Sequence, residues 1–225
     1  KDWHTVQDGT IIIRAHGMPS DQIREIAERG LEIVDATCPH VVTSQRQIKK
    51  YSEKGYYIYI IGDPDHPEIL SLQSFAAEQE VIDSEEQAKK VLRRNKVMII
   101  GQTTFNEDEF NRIAAILEAS ADEAIICDSI CQATSDRQHE IRKLAADADA
   151  VVIVGGKSSA NTRRLAEIAA ELCPRTFHVE TEAELCLADF ADCQHIVVSA
   201  GASTPDFITQ KVIEFLAGIE KMASK

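Results

Sequence analysis

Asp35-Ala36-Thr37-Cys38 and Asp128-Ser129-Ile130-Cys131 open two copies of one design, 93 positions apart. The spacing persists downstream: Gln45 falls on Gln138, Ile48 on Ile141, Gly62 on Gly155, His66 on Ser159 and Glu68 on Asn161. Repeats related by rotation bring equivalent positions toward a common axis. The pattern therefore predicts that Cys38 and Cys131 approach one another, together with the polar residues that follow each of them. The expected result is a central site with soft ligands and a ring of hydrogen-bonding groups.

Working outward from the cysteines, short Ile- and Val-rich runs alternate with helical periods. Strands are expected at 10–14, 31–34, 56–61, 80–82, 96–100, 124–127, 150–154, 176–179 and 195–199. Several are apolar on both faces, as buried parallel strands are. Helices are expected at 20–29, 42–54, 66–77, 84–93, 106–120, 134–146, 160–172 and 204–221. Ser20, Asn106 and Thr204 stand at N-cap positions, with acidic residues in the following turn. This alternation predicts an α/β fold of parallel-sheet lobes in a pseudo-threefold arrangement around a central cavity. The expected divisions are 1–37 as the remainder of a first lobe, 38–130 and 131–203 as second and third lobes, and a helix over 204–225 packing back on the first.

The repeat also predicts something beyond the sequence. One half-unit is followed by two fuller ones, so a third cysteine is expected roughly 90 residues before Cys38, upstream of Lys1. Three cysteines converging on one axis suit a [4Fe–4S] cube with one iron left open for a substrate oxygen, whereas two are too few for a stable one.

Bulk properties narrow the function classes. A net charge of −13 over 225 residues argues against nucleic acid and anionic membranes as partners. It does not exclude a small anion, which helix N-termini and a few His, Ser and Asn groups can hold. No apolar run approaches the roughly 20 residues of a membrane helix, and no leader pattern is evident. A cytoplasmic monomer is the expectation. Six cysteines in such a chain point to metal or redox chemistry rather than a disulfide framework. Cys127, Cys173, Cys186 and Cys193 occupy no recurring position and read as bystanders.

The most specific local motif is Gly62-Asp63-Pro64-Asp65-His66-Pro67-Glu68, a tight turn running into a helix. The imidazole suits a phosphate, and a buried carboxylic acid can donate a proton. His16, Thr103 and Ser203 follow three strand ends in equivalent places, and Lys157-Ser158-Ser159-Ala160-Asn161-Thr162 matches the His66–Glu68 loop by the repeat.

Seven motifs, in order and spanning nearly the whole chain, resemble the 4-hydroxy-3-methylbut-2-enyl diphosphate reductases, the IspH or LytB family. They are Arg14-Ala15-His16-Gly17, Asp35-Ala36-Thr37-Cys38-Pro39, His66-Pro67-Glu68, Gln102-Thr103-Thr104, Ile130-Cys131-Gln132-Ala133-Thr134, Ser158-Ser159-Ala160-Asn161 and the run from Ala200 to Asp206. The resemblance implies reductive removal of an allylic hydroxyl from a diphosphate substrate, with isopentenyl and dimethylallyl diphosphates as products. Electrons are expected from ferredoxin or flavodoxin through a [4Fe–4S] cluster. Carried over motif by motif, Cys38 and Cys131 are implied as cluster ligands, Glu68 as the proton donor and Thr103 as its relay. His16, His66, Thr103, Ser159, Asn161 and Ser203 are implied as substrate-binding, and Thr134 as a support. The family's upstream cysteine segment has no counterpart here, and Ala160 stands where many members have serine. Two other readings differ in class: another three-cysteine enzyme, such as a quinolinate synthase, and a non-catalytic electron carrier. The His66–Glu68 and Ser159–Asn161 loops speak against the first, and Glu68 with Thr103 against the second.

Overall fold

The computed structural model describes residues 3–218 and divides the chain into two compact units, 1–131 and 132–225. The first unit contains β1 (Thr10–Ile13), α1 (Ser20–Glu28), β2 (Glu32–Asp35), α2 (Pro39–Ser52), β3 (Tyr57–Ile61), α3 (Pro67–Gln73), β4 (Gln79–Ile82), α4 (Glu85–Ala88), β5 (Arg94–Gly101), α5 (Glu107–Ala119) and β6 (Ala121–Ile126). The second contains α6 (Gln132–Ala145), β7 (Ala150–Val154), α7 (Ala160–Leu172), β8 (Thr176–Val179), β9 (Ile196–Ala200) and α8 (Asp206–Leu216). Three parallel sheets result, in the orders β1-β2, β4-β3-β5-β6 and β8-β7-β9. The α/β parallel architecture read from the sequence is the one observed. The expected break at 37/38 is not a boundary between compact units, because the two-stranded and four-stranded sheets belong to the same one.

Alternation along β3 and β5 explains why these strands are apolar on both faces. Ile58, Ile60, Met98 and Ile100 meet Ile48 of α2 and Ile69 and Leu72 of α3. Tyr59, Ile61, Val97 and Ile99 meet Phe110, Ile113, Ala114 and Leu117 of α5 on the other side. The four-stranded sheet is thus the middle of three layers. Each isoleucine buried this way contributes about 2 kcal/mol from its apolar surface. In the second unit Val151 and Ile153 meet α6 and α7, while Ala150, Val152 and Val154 meet α8.

Several local expectations are corrected. Asn106 caps α5 as expected, accepting from Glu109 N–H at 3.0 Å. Ser20 does not cap α1: Pro19 precedes the helix, and Ser20 N–H donates to Ser74 Oγ at 2.9 Å. Thr204 does not cap α8: its hydroxyl donates to Val154 O at 3.0 Å, and Pro205 takes the cap. α4 is far shorter than 84–93, because Ala88 is the one buried residue of its four and Arg94 is already paired with Ala121. The C-terminal helix was expected on the first lobe. Its residues Val212 and Leu216 join the apolar cluster of β7 and β8, and 219–225 lie outside the described residues.

Candidate active site

β4 and β5 flank β3 on opposite sides, so the chain reverses its progress across the sheet between β3 and β5. Ile61 and Gly101 are register partners, so the two strands end level and their loops leave side by side. Parallel α/β sheets gather ligand-binding groups beyond such a pair of strand ends. After β3, Pro67 occupies the first turn of α3 and His66 caps the helix, with Nδ1 accepting from Glu68 N–H at 3.2 Å. Since Nδ1 accepts, the neutral ring carries its proton on Nε2. After β5, Gln102 ties the loops together: its Oε1 accepts from Asp63 N–H at 3.2 Å and its amide donates to Thr104 Oγ1 at 3.0 Å.

Glu68 is the centre of this crevice and is only 1% exposed. Thr103 serves both carboxylate oxygens. Its N–H donates to Oε1 at 2.7 Å and its hydroxyl to Oε2 at 2.8 Å. Burial pushes the carboxyl up from its ordinary 4.5 to about 7, against the two hydrogen bonds, which favour ionisation. The His16 ring meets the His66 ring edge-on at 5.1 Å. Burial, and then the charge of Arg14, hold the His16 imidazole below its usual range, so it is neutral near pH 7.

Both motif cysteines adjoin this group. Cys131 N–H donates to Thr103 O at 2.9 Å, and Cys38 N–H donates to Ala15 O at 3.0 Å. Cys38 sits at the N-cap of α2 without using its side chain there. An unbroken chain of contacts and neighbouring residues therefore runs Cys38, His16, His66, Glu68, Thr103, Cys131, all within the first unit. Both thiols are free and half-buried, a donor type suited to iron and sulfide. The donor number is short: among the described residues no three His, Cys, Asp or Glu side chains gather to hold a metal. The described residues therefore do not make a complete cluster holder.

The second unit repeats the topology with other chemistry. β8 and β9 flank β7, and Val154 and Ala200 are register partners. Ser159 caps α7, accepting from Thr162 N–H at 3.4 Å. Asn161 follows, 6% exposed, with neither its amide oxygen nor its nitrogen hydrogen-bonded. Ser203 is exposed in the loop after β9. Gly155 and Gly201 permit a close approach: a methyl group on Gly201 would lie 2.1 Å from Thr162 Oγ1, and one on Gly155 2.4 Å from Thr204 Oγ1. Thr134 is buried in α6. Gln102 and Thr162 stand within motifs of the sequence that assign them no role; the structure gives Gln102 the tie between the two loops and packs Thr162 against Gly155 and Gly201.

The fold defines a parallel α/β protein with a buried carboxyl at one strand crossover and neutral polar groups at another. The family described as LytB protein matches residues 1–217. A 4-hydroxy-3-methylbut-2-enyl diphosphate reductase of Pelobacter propionicus is 41% identical over 98% of this chain and 79% of its own length. One from Anaeromyxobacter sp. (strain K) is 41% identical over 95% of this chain and 77% of its own length. A solved (E)-4-hydroxy-3-methyl-but-2-enyl diphosphate reductase, described as the terminal enzyme of the non-mevalonate pathway, superimposes with a TM-score of 0.62 at 35% identity, over 92% of this chain and 75% of that one. The E-1-hydroxy-2-methyl-but-2-enyl-4-diphosphate reductase of Plasmodium falciparum superimposes with a TM-score of 0.90 at 28% identity, over 96% of this chain and 70% of that one. The chain belongs to the LytB family.

Proposed function

We propose that this protein reduces 4-hydroxy-3-methylbut-2-enyl diphosphate, removing its allylic hydroxyl to give isopentenyl and dimethylallyl diphosphates. The carrying observation is the buried Glu68 carboxyl, poised near neutrality and bonded through both oxygens to Thr103. The reaction takes up two electrons and two protons. The C–O bond breaks, one proton leaves with the hydroxyl as water, and the electron pair and second proton end on the allyl carbons. Hydroxide is a poor leaving group, so protonating it as the bond breaks lowers the barrier. An acid with a pKa near the working pH does this best.

Thr103 gives the proton a path. With Glu68 ionised, the hydroxyl points at Oε2. With Glu68 protonated, the carboxyl donates back and the threonine O–H is released toward a substrate oxygen. His16, His66, Ser159, Asn161 and Ser203 are assigned to the diphosphate, with His66 donating through Nε2–H. These are mostly neutral donors, which accommodates an anionic substrate in a chain of charge −13. Cys38 and Cys131 are assigned as two ligands of a [4Fe–4S] cluster, and the electron donor is of the ferredoxin or flavodoxin kind. The test is anaerobic reductase kinetics on the protein as its host makes it. Glu68→Gln should abolish most turnover while leaving substrate affinity within a few-fold. Undiminished turnover would remove Glu68 from the acid role.

A further inference from the structure

Gln45 recurs as Gln138 in the repeat but has no place in the proposed chemistry. Its Nε2 donates to Ser71 Oγ at 3.0 Å. Ser71 is fully buried on α3, one turn beyond Glu68. Its hydroxyl donates in turn to Met18 O at 3.1 Å. Between them the pair closes on Gly17, the residue after His16. A methyl group on Gly17 would lie 2.7 Å from Ser71 Oγ and 2.8 Å from Gln45 Nε2, and φ there is +77°, which suits glycine. Gly17 N–H closes the turn onto Arg14 O at 2.9 Å.

No hydrogen bond reaches the buried Nδ1 of the His16 ring, whose edge-on contact is with His66. With Nδ1 unheld, the ring's direction depends on the turn that carries it, and the back of that turn rests on Ser71 and Gln45. Three motif-bearing pieces meet at this one hydroxyl: the His16 turn, the helix that carries Glu68 and the helix that Cys38 caps.

We infer that Ser71, held by Gln45, is the positioning residue for His16, and that it keeps the histidine in register with Glu68. The inference rests on the reading of His16 as a diphosphate donor only for its effect on binding. Its effect on the ring is independent of that reading.

Ser74 supplies the control. It caps the C-terminus of the same helix three residues on, where its hydroxyl donates to the Ser71 backbone carbonyl at 2.7 Å and its Oγ accepts from Ser20 N–H at 2.9 Å, and it is not among the atoms nearest Gly17. The experiment compares Ser71→Ala, Ser71→Cys, Ser74→Ala and His16→Asn in the full protein. One readout is the His16 13Cε1–1H NMR signal, and the other is inorganic pyrophosphate affinity by calorimetry. Ser71→Ala should broaden or split the His16 signal and weaken pyrophosphate about tenfold, the size of one lost hydrogen bond. Ser71→Cys, which keeps a weak donor in nearly the same volume, should recover part of both. Ser74→Ala should lower thermal stability and leave the His16 signal alone. A sharp, unshifted His16 signal in Ser71→Ala, or the same change in Ser74→Ala, overturns the positioning role. If His16→Asn itself leaves pyrophosphate affinity unchanged, the diphosphate reading of His16 fails, and the NMR signal still decides for or against Ser71.

Discussion

The crossover between β3 and β5 and the one between β7 and β9 have the same topology and different polar groups. Glu68 and Asn161 occupy the same place, second in a helix whose cap is His66 in one case and Ser159 in the other. Glu68 is an ionisable group with both oxygens satisfied by Thr103. Asn161 is a neutral amide with neither atom satisfied. A buried carboxyl that is fully bonded within the protein is equipped to hold and release a proton. A buried amide with no bond within the protein is equipped to receive a ligand's oxygens, because an unmet donor stays costly until something meets it. One scaffold thus carries a buried, fully bonded carboxyl at one crossover and a buried, unbonded amide at the other, and two side chains make the difference.

The sharpest way to break this comparison is to make the first crossover resemble the second. Glu68→Gln keeps the volume and removes the proton. Turnover should fall by about 10²- to 10⁴-fold, the usual contribution of a general acid. Single-turnover kinetics under anaerobic conditions would show it, and a loss below tenfold would mean that the proton comes from elsewhere.

The same substitution should separate the two regions through stability. The folded-state value of about 7 lies above the ordinary 4.5, so between these the folded chain holds a proton that the unfolded chain has released. Glu68 therefore leaves stability unchanged below about pH 4.5, lowers it progressively as pH rises through that window, and has reached its full effect above about pH 7. The full effect is about 3 kcal/mol at most. Urea denaturation of the native protein and of Glu68→Gln at pH 5 and pH 8 measures it. The variant should gain relative to the native chain at the higher pH, and a gap that does not change with pH would refute the raised carboxyl.

In the second unit the corresponding vulnerability is steric. Gly155 has φ of +143°, and a methyl group there would stand 2.4 Å from Thr204 Oγ1, whose hydroxyl is bonded to Val154 O. Gly155→Ala should cost on the order of 2–3 kcal/mol by calorimetry or urea denaturation. Near-native stability would show that the β7 and β9 loops tolerate separation.

Much of this is legible in the sequence alone. Strands such as Tyr57–Ile61 and Ala150–Val154 announce themselves because they are apolar at every position, as strands buried on both faces are. The equivalence of Glu68 and Asn161 was legible as a constant offset. Helix ends were less so: Ser20 and Thr204 look like caps, and a tertiary partner claimed each hydroxyl instead, Ser74 O for one and Val154 O for the other. The value of Glu68 near 7 was out of reach, because it follows from the burial of the side chain in the folded protein, not from its neighbours in the chain. Ser71 was equally hidden, since its partners Met18 and Gln45 are distant in sequence.

The smallest expected effect bears most directly on the comparison. If Asn161 has no partner within the protein, replacing it by a leucine of similar shape removes an unmet polar group and leaves no partner stranded. Asn161→Leu should then change stability by less than about 1 kcal/mol, in either direction. Thr103→Ala strips Glu68 of its hydroxyl donor in a buried site and should cost about 1–3 kcal/mol at pH 8, where the carboxyl is ionised. The two variants should reverse their ranking for ligand: Asn161→Leu should weaken pyrophosphate by about tenfold, and Thr103→Ala much less. Equal stability costs would mean that the amide is satisfied inside the second unit and is not waiting for a ligand, and the contrast between the two crossovers would then reduce to charge alone.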